Sequence, residues 1–84
     1  MSDSEIIGKI KKIVTPYVQN KEGLNNFDES TSFINDLKIN SANLVDVVLD
    51  VEDEFDIIID NDSMDGMQTV GDARQIIIKK IQQN

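Results

Sequence analysis

Apolar residues return at three- and four-residue steps in three stretches of this 84-residue chain. In the first, Ile6, Ile10, Ile13, Val14 and Tyr17 line one side of a helix expected over 4–18. Ser2, Asp3 and Ser4 are candidate caps, and Glu5 suits the first turn. Lys9, Lys11 and Lys12 fall away from most of that stripe. Pro16 in a helix interior would cost ~3 kcal/mol and orphan the carbonyl of Lys12. A kink or early end is therefore expected there, with Tyr17 and Val18 still packing inward. The second stretch, 41–55, gathers Leu44, Val47, Val48, Val51 and Phe55 into a narrow arc. The third opens on Thr69-Val70-Gly71-Asp72, a capping-box variant, and turns Val70, Ala73, Ile76, Ile77 and Ile81 inward. It ends in Lys79-Lys80, which suits a helix C-terminus.

Between these stretches the periodicity lapses. Residues 19–31 are rich in turn-formers and make a long loop, anchored by Leu24 and Phe27. Short helical character is expected over 32–37, with Phe33, Ile34 and Leu37 as its apolar contacts. Ile57-Ile58-Ile59 favours extended backbone but has no second strand to pair with, so it reads as a buried connection. Residues 63–67 permit about one helical turn. The pattern predicts one all-α domain over 1–84, a small three-to-four-helix bundle with a long loop after the first helix.

Charge narrows the range of partners. Sixteen acids against eight bases leave a formal net charge of −8. Such a surface repels phosphate backbones, which argues against nucleic-acid binding and for partners with basic patches. Between Asp36 and Asp72 there are eleven acids and a single base, Lys38. No stretch approaches the ~20 apolar residues of a membrane span, and Met1-Ser2-Asp3-Ser4-Glu5 lacks the basic and apolar regions of a signal peptide. A cytoplasmic monomer is the expectation.

The candidate chemistry is mostly negative. The chain has no cysteine and no histidine, so it lacks thiol nucleophiles and the usual base near neutral pH. Asp60-Asn61-Asp62-Ser63-Met64-Asp65-Gly66 invites an EF-hand reading. Counted from Asp60, however, the fifth, sixth and twelfth positions are Met64, Asp65 and Gly71, where the loop needs a ligand, a glycine and a glutamate. Ser41 has no Ser-x-x-Lys pattern and no glycine-rich oxyanion loop, so catalysis by the chain itself is not expected. What sets Ser41 apart is its place. Asn40 is a good N-cap, and Ser41 falls at the first helical position, beside amides expected to be free and at the positive end of the dipole.

Around that serine the sequence is similar to a known family. Asp36-Leu37, Ser41, Leu44-Val45-Asp46-Val47-Val48-Leu49, Glu52-Asp53-Glu54-Phe55-Asp56-Ile57 and Thr69-Val70-Gly71-Asp72-Ala73 resemble the acyl carrier proteins. The resemblance covers nearly the whole chain, without a gap from Asp36 to Ala73. It implies that Ser41 carries 4'-phosphopantetheine, moved from coenzyme A by a phosphopantetheinyl transferase. The arm's thiol would then hold acyl groups as thioesters for acyl-transfer and chain-modifying enzymes. Val45 and Leu49 lie on the shoulder of the second helix, with Asp53, Asp46 and Asp50 on its outer face. The two apolar residues either widen the buried face or form a docking patch. The resemblance favours docking, with Ala42, Val45, Asp46, Leu49, Asp50 and Asp53 as partner contacts.

Four positions depart from the family pattern. Asn40-Ser41-Ala42 stands where Asp-Ser-Leu is usual, Lys38 where glycine is common, and Asp60 where many relatives have proline. These departures point to a specialised carrier rather than the housekeeping one of fatty-acid synthesis. The rival reading is a non-carrier acidic adaptor that binds a basic partner with Ser41 unmodified.

Overall fold

The first helix, α1 (Asp3–Val14), opens at Ser2, whose side-chain oxygen accepts a hydrogen bond from the Glu5 amide at 3.3 Å in the computed structural model, which describes residues 2–82. Ile6, Ile10 and Val14, four residues apart, form its buried stripe. The helix stops at Val14, four residues short of the expected end. Pro16 cannot donate a backbone hydrogen bond, and Thr15–Tyr17 tighten into a 3₁₀ turn. Val18 is buried and Tyr17 partly so, as the apolar pattern required.

The long connection is held at both ends. The amides of Gln19 and Asn20 both donate to the Leu37 carbonyl, at 3.2 and 3.1 Å, so the loop's start is tied to its end. Leu24, in a 3₁₀ turn over Lys21–Leu24, and Phe27 pack against the core. Farther on, Val70 donates to Thr31 at 2.9 Å, Gly71 to Glu29 at 2.8 Å and Phe33 to Gln68 at 3.1 Å. Arg74 adds ion pairs to Glu29 and to Asp3.

Residues 32–37 form a closed turn and not a short helix. The amides of Asp36 and Leu37 both donate to the Ser32 carbonyl, while the Asp36 carboxylate accepts from the Ser32 amide at 2.7 Å. Phe33 and Leu37 are fully buried, but Ile34 is 47% exposed. One turn of backbone can send only one side inward, and the pair four residues apart takes it.

The second helix, α2 (Ser41–Phe55), has the expected bounds. Val47, Val48, Val51 and Phe55 are buried, and Leu44 packs partly against them. Asp56, at φ 54°, ends the helix in the left-handed region. The isoleucines that follow alternate, as extended backbone dictates: Ile57 and Ile59 are buried, while Ile58 is 80% exposed. The short α3 (Asn61–Asp65) is capped by Asp60. The last helix, α4 (Val70–Gln82), starts on the reciprocal pair expected: Thr69 N–H to the Asp72 carboxylate and Asp72 N–H to Thr69 Oγ1, both 3.2 Å. Its Val70, Ala73 and Ile77 are buried, and α1 packs against both α2 and α4. Four α-helices among the described residues fit the small three-to-four-helix bundle that the sequence pattern predicts.

Candidate functional site

Ser41 is exposed at the first position of α2, and its surroundings are built by the two residues on either side of Lys38. Leu37 and Ile39 are buried to within 1%. Their amides donate to Ser32 and Phe33, at 3.1 and 3.0 Å. To bury both, the chain reverses at Lys38, whose φ is 57°. That left-handed backbone is where glycine is at ease, so the glycine common in the resembling family has a geometric reason here.

Asn40 then caps the helix. Its Oδ1 accepts from the Ala42 amide at 2.9 Å, and its carbonyl accepts from Asn43 and Leu44 at 2.9 and 3.0 Å. The expected row of free amides is therefore shorter than the sequence suggested. The cap uses those of Ala42 and Asn43 itself.

A cleft of about 350 Å³ opens beside Ser41. Leu44 and Val45 of α2 form one wall, Ile34 and Asn35 of the 32–37 turn another, and Met64 and Asp65 of α3 the third. The sequence marked Leu44 as core, Val45 as shoulder or docking patch, and Ile34 as an inward contact of the 32–37 segment, whereas Ile34 instead lines the cleft. Met64 carried no signal, because its role depends on how α3 folds back over α2.

The outer face of α2 is partly as expected. Val45 and Leu49 are 46% and 53% exposed, so they do not widen the buried face. Ala42, Asp46 and Asp53 are also exposed. Asp50 differs: it is partly buried, and its carboxylate accepts the Tyr17 hydroxyl at 2.9 Å. That bond, with burial and the charges of Asp50 and Asp46, pushes the Tyr17 hydroxyl above the usual phenol range. Asp50 is thus a fastener between the Pro16 turn and α2, and not a free outer-face charge. Nearby, Lys9 pairs with Glu54 at 3.1 Å and stands 5.9 Å from the Phe55 ring. Lys9 and Lys12 share a second cleft with Asp50, Asp53 and Glu54, so bases of α1 offset the acids at the far end of α2. Asp46, one turn from the start of the helix, is not among them.

The segment that invited an EF-hand reading has another use. Asp60 Oδ1 accepts the Ser63 amide at 2.8 Å and Oδ2 lies 3.6 Å from Lys80 Nζ. Ser63 and Lys80 together hold its carboxyl below the usual carboxylate range. Among the described residues, no group of three or more acidic side chains is arranged to hold a metal ion. Nor is any helix there long and apolar enough to cross a membrane.

No protein-family model matches the chain. Individual relatives do. It is 39% identical over 74 residues to an acyl carrier protein of Lactobacillus acidophilus, an overlap of 87% of this chain and 89% of the relative. The chain belongs to the acyl carrier protein family. Within that family it is also 38% identical over 77 residues to an acyl carrier protein of Caulobacter vibrioides, covering 92% of this chain and 96% of that one. The crystal structure of an acyl carrier protein from Thermotoga maritima superposes with a TM-score of 0.80 at 29% identity, covering 99% of this chain and 94% of that one. In this acyl carrier protein fold, Ser41, Val45 and the cleft share one end of α2, whereas Leu49 and Asp53 follow along its length.

Proposed function

We propose that Ser41 carries 4'-phosphopantetheine and that the protein presents acyl, or related aminoacyl, intermediates to partner enzymes of fatty-acid, polyketide or lipid biosynthesis in the cytoplasm. When bound, that group supplies the thiol that a chain without cysteine lacks, and holds acyl cargo as thioesters. The observation that carries the reading is an exposed serine at a capped helix start, beside an apolar-walled cleft, in a chain of this family.

The residues present suit the group. Ser41 Oγ is accessible for esterification, and the helix dipole favours the negative charge of a phosphodiester there. Leu44, Val45 and Met64 offer apolar surface within the cleft where cargo can be sheltered from water. With no histidine in the chain, the base that takes the Ser41 proton must come from the transferase. Coenzyme A and this protein are both anionic, so the transferase must also supply the cations that bring them together. Ala42, Val45, Asp46, Leu49 and Asp53 form the docking surface for such basic enzymes, with Asp50 contributing mainly by holding α2 in place. The departures at Lys38, Asn40 and Ala42 support a specialised member.

Incubation with coenzyme A and a broad-range phosphopantetheinyl transferase tests the reading. Intact mass should rise by one phosphopantetheine, and peptide mapping should place it on Ser41. Ser41→Ala should abolish loading with helix content unchanged. Modification at Ser30, Ser32 or Ser63 would reject the assignment, and no modification at all would favour the acidic adaptor.

A further inference from the structure

We propose that Lys38 is the protein's own counter-ion for the phosphodiester on Ser41, and so sets the direction in which the arm leaves the surface. The inference rests on the carrier reading above and goes beyond it, because it gives a positioning role to a residue that departs from the family pattern.

The backbone at Lys38 is immobilised from both sides. Leu37 and Ile39 are buried to within 1%, and their amides donate to Ser32 and Phe33. The Leu37 carbonyl accepts from both Gln19 and Asn20. Lys38 is exposed between them at φ 57°, so its side chain starts from a fixed point. Two residues stand between it and Ser41, three Cα steps that span at most roughly 10–11 Å. A four-carbon stem is long enough to bring the ammonium within about one Debye length, ~8 Å at physiological ionic strength, of an anion on Ser41.

Charge completes the case. Lys38 is the single base among eleven acids from Asp36 to Asp72. Among the described residues, the ion pairs engage Lys9, Arg74 and Lys80 and leave Lys38 unpaired. Asp36, the nearest acid in sequence, accepts the Ser32 amide at 2.7 Å and serves the turn. Asn40 and Ala42, on either side of Ser41, are uncharged. A phosphodiester at Ser41 therefore adds a negative charge to an acidic stretch of sequence in which Lys38 is the single base.

The test compares apo and loaded protein, each verified by mass, through the NMR signals of the lysine side-chain carbons next to nitrogen at low and high salt. Loading should shift the Lys38 signal at low salt, as expected for an exposed ion pair. The change should shrink at high salt, and Lys11 and Lys12 should not respond. In Lys38→Met, the amide shifts of Ser41, Ala42 and Asn43 on loading should differ from the wild type, and Lys38→Arg should restore them. If the Lys38 signal is the same in the two forms while mass shows the adduct, the inference is wrong and the carrier reading stands. If no adduct forms, both fall together.

Discussion

At Lys38 an ordinary side chain occupies backbone that suits glycine, and the burial of Leu37 and Ile39 holds it there. The left-handed region costs a non-glycine residue roughly 1–2 kcal/mol, whereas glycine avoids that cost but loses about 0.5–1 kcal/mol in chain entropy. Lys38→Gly is therefore expected to raise stability by about 0.5–1 kcal/mol. Lys38→Val should lower it by at least ~1 kcal/mol, because a β-branched residue tolerates positive φ least. Urea midpoints at unchanged slope decide it. A glycine variant no more stable than the wild type would show that the turn is relaxed. The sequence marked Lys38 as a departure. Only the backbone angle shows what the departure costs.

Among the helices, the contacts of α4 and α1 make two glycines opposite cases. A Cβ on Gly71 would sit 2.9 Å from the Glu29 carbonyl oxygen and 3.2 Å from Glu29 Cβ, at the strap that ties the long loop to α4. Gly71→Ala should cost about 1–3 kcal/mol despite alanine's better helix propensity. Gly8, inside α1, has nothing within 4 Å of the same position, and Gly8→Ala should stabilise by about 0.5–1 kcal/mol. Thermal melts of the two variants should move in opposite directions. On α2 the informative charge reversals are Asp46 and Asp53, both exposed. Reversing both should slow loading by the transferase and weaken its dependence on salt, each pair contributing only ~0.2–1 kcal/mol. Stopped-flow loading rates at two ionic strengths check this, and unchanged rates would place docking elsewhere. Asp50→Lys is a poorer probe, since it also breaks the Tyr17 bond.

Across the whole molecule, stability should peak on the acid side of neutrality. The formal net charge of −8 diminishes as pH falls toward the sequence pI of about 4.2, which relieves self-repulsion. Against that, folding lowers the carboxyl pKa of Asp28, through its bonds from Ser30, and of Asp60, through those from Ser63. A lowered carboxyl pKa adds stability above the unfolded value, near 3.8, that is lost as pH falls through the lower folded value. Melting temperature should therefore rise from pH 7 toward about 5 and drop below about 4. Asp28→Asn and Asp60→Asn together should flatten the acid limb. If that limb keeps its full slope, other carboxylates govern acid unfolding.

The sequence by itself determined what repeats locally. Residues four apart on a helix share a face whatever surrounds them, so Ile6, Ile10 and Val14, or Val47, Val51 and Phe55, could be assigned to the core without coordinates. The caps at Asn40 and Thr69 were legible for the same reason, since each bonds within three residues. The tertiary structure decided what depends on distant partners. Tyr17 claims Asp50 across 33 positions of sequence, which no periodicity records. Whether Val45 and Leu49 were core or surface turned on how far the neighbouring helices reach around α2. The cleft beside Ser41 exists because the 32–37 turn and α3 fold back to either side of it. Side-chain pattern sets which face is apolar; only packing determines how much of that face is covered.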